Sequence, residues 1–278
     1  MSSPSPLPVV PRSTARRLAL GAVVGPVLFT LTWLVLGAVS DGYTLFGHRF
    51  TDYSPVSQPI SGLGMGSTAA YMNTAFVVTG LILIVGVVAV FRAVPDGRTG
   101  LRRWAVVLLG CSGIGQAVCG LYDLEAVLPH TVGFVLAIGV PIAGFLVAGT
   151  YFRGVPGWRR FGSWLLLGSP LTLILLVAFF ATFQPTADGA ETGVAGLVQR
   201  LGILELHAWF VVMGWLAYRR TRPPFRLHHR TLAEQARATD HGEHGESRIA
   251  IQAGNTAAPD HPRVRGEQTT GGGRGATV

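Results

Sequence analysis

The stretch Gln199–Arg219 reads QRLGILELHAWFVVMGWLAYR, and its interpretation decides the fold. At about 1.5 Å of rise per residue, a helix of this length spans about 30 Å, the thickness of a bilayer's hydrocarbon core. Yet it carries Arg200, Glu205 and His207. Arg200 stands near one mouth of such a helix, where its long side chain can reach lipid headgroups. Glu205 lies roughly 10 Å inside on the same rise; with its short stem it must face protein or trapped water, hold a proton, or find a partner. His207 follows Arg200 by seven residues and shares its helical face, whereas Glu205 points elsewhere. The stretch therefore reads as a membrane-spanning helix offering polar groups to two neighbours.

The rest of the composition agrees. Of 278 residues, 49% are hydrophobic and only 13% charged, too apolar for an ordinary soluble domain. The formal charge of +8 does not indicate nucleic acid as a partner, because the arginines fall in short linkers and in the tail rather than on one folded basic face. Membrane lipids are the expected partners, and nothing names a protein partner. Cys111 and Cys119 are eight residues apart in one apolar run, about 12 Å along a helix and too far for a disulfide, so they read as small packing residues.

Five more apolar runs precede the last: Leu18–Val39, Tyr71–Phe91, Trp104–Tyr122, Thr131–Phe152 and Phe161–Phe183. The fold class is all-α, an integral membrane bundle of six transmembrane helices over 18–220. Residues 1–17 form a disordered cytoplasmic N-terminus, and 221–278 a disordered cytoplasmic tail in which His228, His229, His241 and His244 show no closed metal spacing. The basic start, the first apolar run and the small residues Ala38 and Ser40 also fit a secretory signal, but the run is longer than a usual signal core. Gly21 and Gly25 form a small-xxx-small pair suited to close helix approach. Pro26, Pro141 and Pro170 interrupt spans and should loosen them. There is no internal repeat to support a transporter.

Arginines orient the bundle. The N-terminal flank, the linkers Arg92–Arg103 and Arg153–Arg160, and Arg219, Arg220 and Arg222 fall on one side, which is expected to be cytoplasmic; Asp41, Asp52, Asp123, Glu125, Asp188 and Glu191 fall on the other. This places both termini in the cytoplasm of a cell-membrane protein. The polar stretch Asp41–Ala69 reads as a long loop, and loops that long are usually functional or disordered.

Polar residues gather at the non-cytoplasmic ends of the spans. The candidate ligand-binding residues are Asp52, Ser61, Asn73, Gln116, Asp123, His130, Gln199, Arg200, Glu205 and His207, with Gln58 beside them. Gln116 and Asp123, seven residues apart, share a helical face, and Gln116 lies about 10 Å below the mouth, level with Glu205. A Gln116–Glu205 hydrogen bond is expected, as is an ion pair from Arg200 to Asp123 or Asp52. The leading reading is a non-enzymatic pocket for a lipid or small amphipath, with Arg200 meeting an anion and Trp209 or Tyr53 giving apolar surface. The alternative is a membrane-embedded hydrolase or transferase using the Asp, His and Glu side chains. No HExxH, paired-histidine spacing or nucleophile elbow is present, so no catalytic residue, metal ligand or cofactor is assigned.

Tyr53-Ser54-Pro55-Val56-Ser57-Gln58, Ile60-Ser61-Gly62-Leu63-Gly64 and Asn73 together resemble the first signature of a bacterial membrane family known only as the domain of unknown function numbered 998. Asp123, His130 and Gly196-Leu197-Val198-Gln199-Arg200 are similar to its later motifs. The resemblance covers about Leu18 to Arg220 and implies a compact bundle of about six helices, distantly like the Frag/DRAM/Sfk membrane proteins, with no established reaction. That family usually has an acid where this chain has Gly62, and a cysteine near the Asp turn that this chain lacks. If the acid were a general acid, base or ligand, this chain would be inactive or would use Asp52 instead.

Overall fold

The computed structural model describes residues 12–94, 97–184 and 192–220. The tail with its four histidines, the first eleven residues, and Asp188 and Glu191 lie outside the described residues. Six helices long and apolar enough to cross a membrane account for most of the rest: Arg12–Val39, Ala69–Ala93, Thr99–Leu121, Val127–Arg153, Arg159–Thr182 and Ala195–Arg220. The chain is a multipass membrane protein.

The first of these is α1 (Arg12–Leu18) followed by α2 (Gly21–Val39), the second α3 (Ala69–Ala93) and the third α4 (Thr99–Leu121). The fourth comprises α5 (Val127–Phe134), a π-helical turn at Val135–Gly139, and α6 (Val140–Arg153). The fifth is α7 (Arg159–Thr182) and the last α8 (Ala195–Arg220). Most helices overrun the apolar segments into flanking arginines, because an arginine stem can line a helix while its head reaches water. Thus Arg12–Arg17, expected to be disordered, are helical: Ala15 and Ala19 are buried and the Arg16 guanidinium lies 5.2 Å from the centroid of the Tyr218 ring.

Each long helix packs beside its neighbour in the chain, and α8 packs against α2, closing a ring. Glycine sets the closest seams. A Cβ on Gly80 would sit 2.5 Å from the Gly113 carbonyl, and one on Gly21 would sit 2.7 Å from the Ile82 carbonyl. Helix backbones touch there, as small-residue interfaces allow in lipid, where packing rather than water exclusion drives association.

Proline acts most visibly in the fourth span. Pro141 has no N–H to give the carbonyl four residues back, that of Ala137, and the π turn at Val135–Gly139 immediately precedes it. The freed carbonyl accepts from Ser112 Oγ on α4 at 2.8 Å. At Pro26 and Pro170 the helices continue without interruption.

The stretch between α2 and α3 is more ordered than a loop. It contains an antiparallel hairpin, β1 (Tyr43–Leu45) and β2 (His48–Phe50), and a 3-10 turn at Ile60–Gly64. Phe46 and Gly47, with φ of 46° and 81°, make a two-residue turn of the kind that suits hairpin twist. Tyr43 and Phe50 face each other across the strands and stack at 4.8 Å.

Candidate functional site

The segment after the hairpin folds down onto the helix ends as a cap. All five residues of the 3-10 turn are buried, so its polar backbone must be satisfied by protein. Gln199 Oε1 accepts from the Ile60 N–H at 2.7 Å, Asn73 Nδ2 donates to the Gly64 carbonyl at 3.0 Å, and Thr68 Oγ1 donates to that of Leu63 at 2.7 Å. Ser61 Oγ lies 3.0 Å from His130 Nε2, whose other nitrogen, Nδ1, is 2.7 Å from the Tyr122 carbonyl. A carbonyl only accepts, so Nδ1 carries the proton of the neutral ring and Ser61 donates to Nε2.

Arg200 is the central fastening. Only 5% exposed, its Nη1 donates to the carbonyls of Pro55 (2.7 Å), Gln58 (3.0 Å) and Gly196 (2.9 Å), and its Nη2 to the Tyr53 hydroxyl. The rings of Trp33 and Tyr53 lie 5.4 and 5.6 Å from its guanidinium carbon. No carboxylate of a described residue is among its partners, which corrects the expected pairing with Asp123 or Asp52. A planar fork with five donors suits a cage of carbonyls as well as it suits a carboxylate. Tyr53 in turn donates to the Pro59 carbonyl at 3.0 Å. Burial raises the Tyr53 phenol above its ordinary pKa, against the opposing pull of Arg200, and burial also raises that of Tyr43.

Beneath the cap lies a cavity of about 40 Å³. That is enough for water or one small group of a larger molecule. Its walls are mainly apolar, with Phe29, Phe76, Phe134 and Ile138 prominent, and the π turn brings Ala137 and Ile138 to it. Its polar edge is Ser61, Ser112, Gln116, Gln199 and His207. Most of these are already occupied: Gln116 Nε2 donates to Thr79 Oγ1 at 3.0 Å, and Ser61, Ser112 and Gln199 bond as described. His207 differs. It is 7% exposed, its Nδ1 is sealed without a partner, and its Nε2 bonds to no described residue; its ring packs edge-on against Phe29 at 5.6 Å.

Four of the ten candidates therefore share one cavity: Ser61, Gln116, Gln199 and His207. His130 stands behind Ser61, while Asn73 and Arg200 fasten the cap. Asp52 is exposed and contributes its backbone carbonyl, to Gln58 Nε2 at 3.2 Å. Asp123 leaves the helical face it was expected to share with Gln116, because α4 ends at Leu121; its Oδ1 accepts from the N–H groups of Glu125 and Ala126. Glu205 does not meet Gln116. It faces α7, accepting from Thr172 Oγ1 at 2.7 Å and from Trp209 Nε1, since two residues from His207 is more than half a helical turn away. Among the described residues, no three His, Cys, Asp or Glu side chains come together as a metal site would need. Ser112, not singled out, and Cys119, read only as a packing residue, both stand on the cavity wall, on the helical face of Gln116 at i−4 and i+3.

A family model described as "Protein of unknown function (DUF998)" matches residues 23–216, well over half of the 278-residue chain. The chain belongs to the DUF998 family. The match begins inside α2 and ends near the close of α8, so cap and cavity both lie within the DUF998 region. Neither a curated protein nor a solved structure matches the chain. At Gly62, the residue at which this chain departs from the motif it resembles, the Tyr43 ring fills the space: a Cβ there would lie 2.8 Å from Tyr43 Cε1.

Proposed function

We propose that this DUF998 protein resides in the cell membrane with both termini in the cytoplasm and that its cavity receives the uncharged polar end of a lipid or small amphipath. The arginine-rich helix ends support the orientation. One observation carries the binding reading: His207 presents a buried imidazole without a hydrogen bond to any described residue at a mainly apolar cavity whose other polar residues are already bonded. A buried polar group without a partner costs about 1–3 kcal/mol, and a hydroxyl or carbonyl on the ligand would recover it. Among the described residues no charged side chain lines the cavity, so a charged group there would be strongly disfavoured. Native mass spectrometry of the detergent-purified protein tests this: wild type should retain a neutral amphipath that His207→Phe, which fills the space, does not. Equal retention by both rules the reading out.

A second reading, a membrane-embedded acyl hydrolase or transferase, is favoured by Ser61 and His130. The serine faces the cavity, and the histidine behind it holds an accepting Nε2 oriented through Nδ1, the relation of nucleophile to general base. A fluorophosphonate probe should then form a covalent adduct on Ser61 that His130→Gln suppresses. An unlabelled wild type leaves the pair as a fastening of the cap.

A further inference from the structure

A separate feature lies at the arginine end of the bundle, away from the cap. The first span breaks at Ala19–Leu20 and restarts at Gly21. There α2 and α3 meet backbone to backbone, and a Cβ on Gly86 would lie 2.0 Å from the Ala22 nitrogen. Because Gly21 has no side chain, the seam is floored by backbone and walled by Leu18, Leu20 and Val24 on one side and Leu81, Ile82 and Val85 on the other. This makes an open groove of about 440 Å³ with Arg17 at its head. Its walls face outward: Leu81 is 54% and Val85 49% exposed. Arg17 is exposed as well, and its guanidinium makes no hydrogen bond, ion pair or ring contact with a described residue. Neighbouring cations are engaged, Arg16 over the Tyr218 ring and Arg220 with the Gly157 carbonyl.

An apolar groove on the outside of a membrane bundle fills with hydrocarbon, and its head decides which lipid supplies it. A guanidinium matches a phosphate bidentately. A zwitterionic lipid offsets its phosphate with its own ammonium, whereas an anionic one does not. We propose that the groove headed by Arg17 binds an anionic phospholipid, with the phosphate on the guanidinium and the upper part of one acyl chain along the α2–α3 seam. From Arg17 to Val24 the groove is about 10 Å long by helical rise, so it holds the chain near the glycerol rather than the tail.

Native mass spectrometry of the full chain, equilibrated in detergent with equal amounts of dioleoyl phosphatidylglycerol and dioleoyl phosphatidylcholine, tests this. Wild type should retain the anionic lipid in preference. Arg17→Gln should lower that preference about five-fold, the factor corresponding to one basic residue at an anionic surface. Leu81→Trp, which fills the groove, should lower retention of both lipids, and Arg103→Gln, at the same end but outside the groove, should change nothing. Glycerol phosphate, a headgroup without chains, should not compete. An unchanged preference in Arg17→Gln overturns the proposal, as does an equal loss in Arg103→Gln, which would mean a diffuse basic field, or full competition by glycerol phosphate, which would mean a soluble-anion site. All three positions are solvent- or lipid-exposed, so melting midpoints close to wild type should accompany these results.

Discussion

Ser112 on α4 gives its hydroxyl proton to the carbonyl of Ala137 at 2.8 Å, replacing the backbone N–H that Pro141 lacks. Two consequences meet at this bond. The fourth span can widen into a π turn without leaving a bare carbonyl in an apolar interior, and the widened turn supplies Ala137 and Ile138 to the cavity wall.

Ser112→Ala should therefore destabilise the protein by about 1–3 kcal/mol, the cost of an unpaired buried carbonyl. Pro141→Ala restores an N–H at that position, so the double variant should lose clearly less than Ser112→Ala alone. A double-mutant cycle of unfolding in mild detergent measures the coupling, and strict additivity would contradict the replacement.

Arg200→Lys keeps the charge and removes the fork. One ammonium cannot serve three carbonyls and the Tyr53 hydroxyl together, and hydrogen bonds to charged groups contribute about 1.5–3 kcal/mol. We expect a loss of about 2 kcal/mol or more, read as a lower melting midpoint, together with faster proteolysis of residues 53–58. A midpoint equal to wild type would mean the cap is held by something else.

His207→Leu should behave unlike a typical core substitution. It removes a polar group without a hydrogen-bond partner among the described residues, so stability should be unchanged or rise by about 1 kcal/mol, while the retained amphipath is lost. Destabilisation by several kcal/mol would indicate that the imidazole has a protein partner after all.

Alkaline pH should loosen the hairpin end. Burial raises the phenols of Tyr43 and Tyr53 above their ordinary value, so the folded state keeps them neutral where the unfolded chain would ionise. A raised folded-state pKa leaves stability intact below about pH 10, and stability then falls as pH climbs through the folded values. Melting midpoints from about pH 8 to about pH 11 should bend downward only above about pH 10, and Tyr43→Phe should soften the bend. A decline beginning near neutrality would point to other groups.

Gln199–Arg219 announced a polar face within an apolar helix, and the six runs with their arginine flanks were legible without coordinates, because lipid obliges each span to satisfy its own backbone and so writes it as one long apolar segment. The sequence likewise brought forward Gln116, Gln199 and His207, since polar residues in such segments are costly enough to stand out, and Ser61 through the motif in the stretch between the first two spans. Partners were another matter. That Arg200 binds carbonyls of residues 55, 58 and 196, that Glu205 turns to Thr172 and Trp209, and that Ser112 serves Ala137 across two helices depends on the rotation of each helix about its axis. Glycine seams and one proline set those rotations through close contact in three dimensions. Hydropathy along a chain records how deep a residue lies, and only packing decides which neighbour it faces.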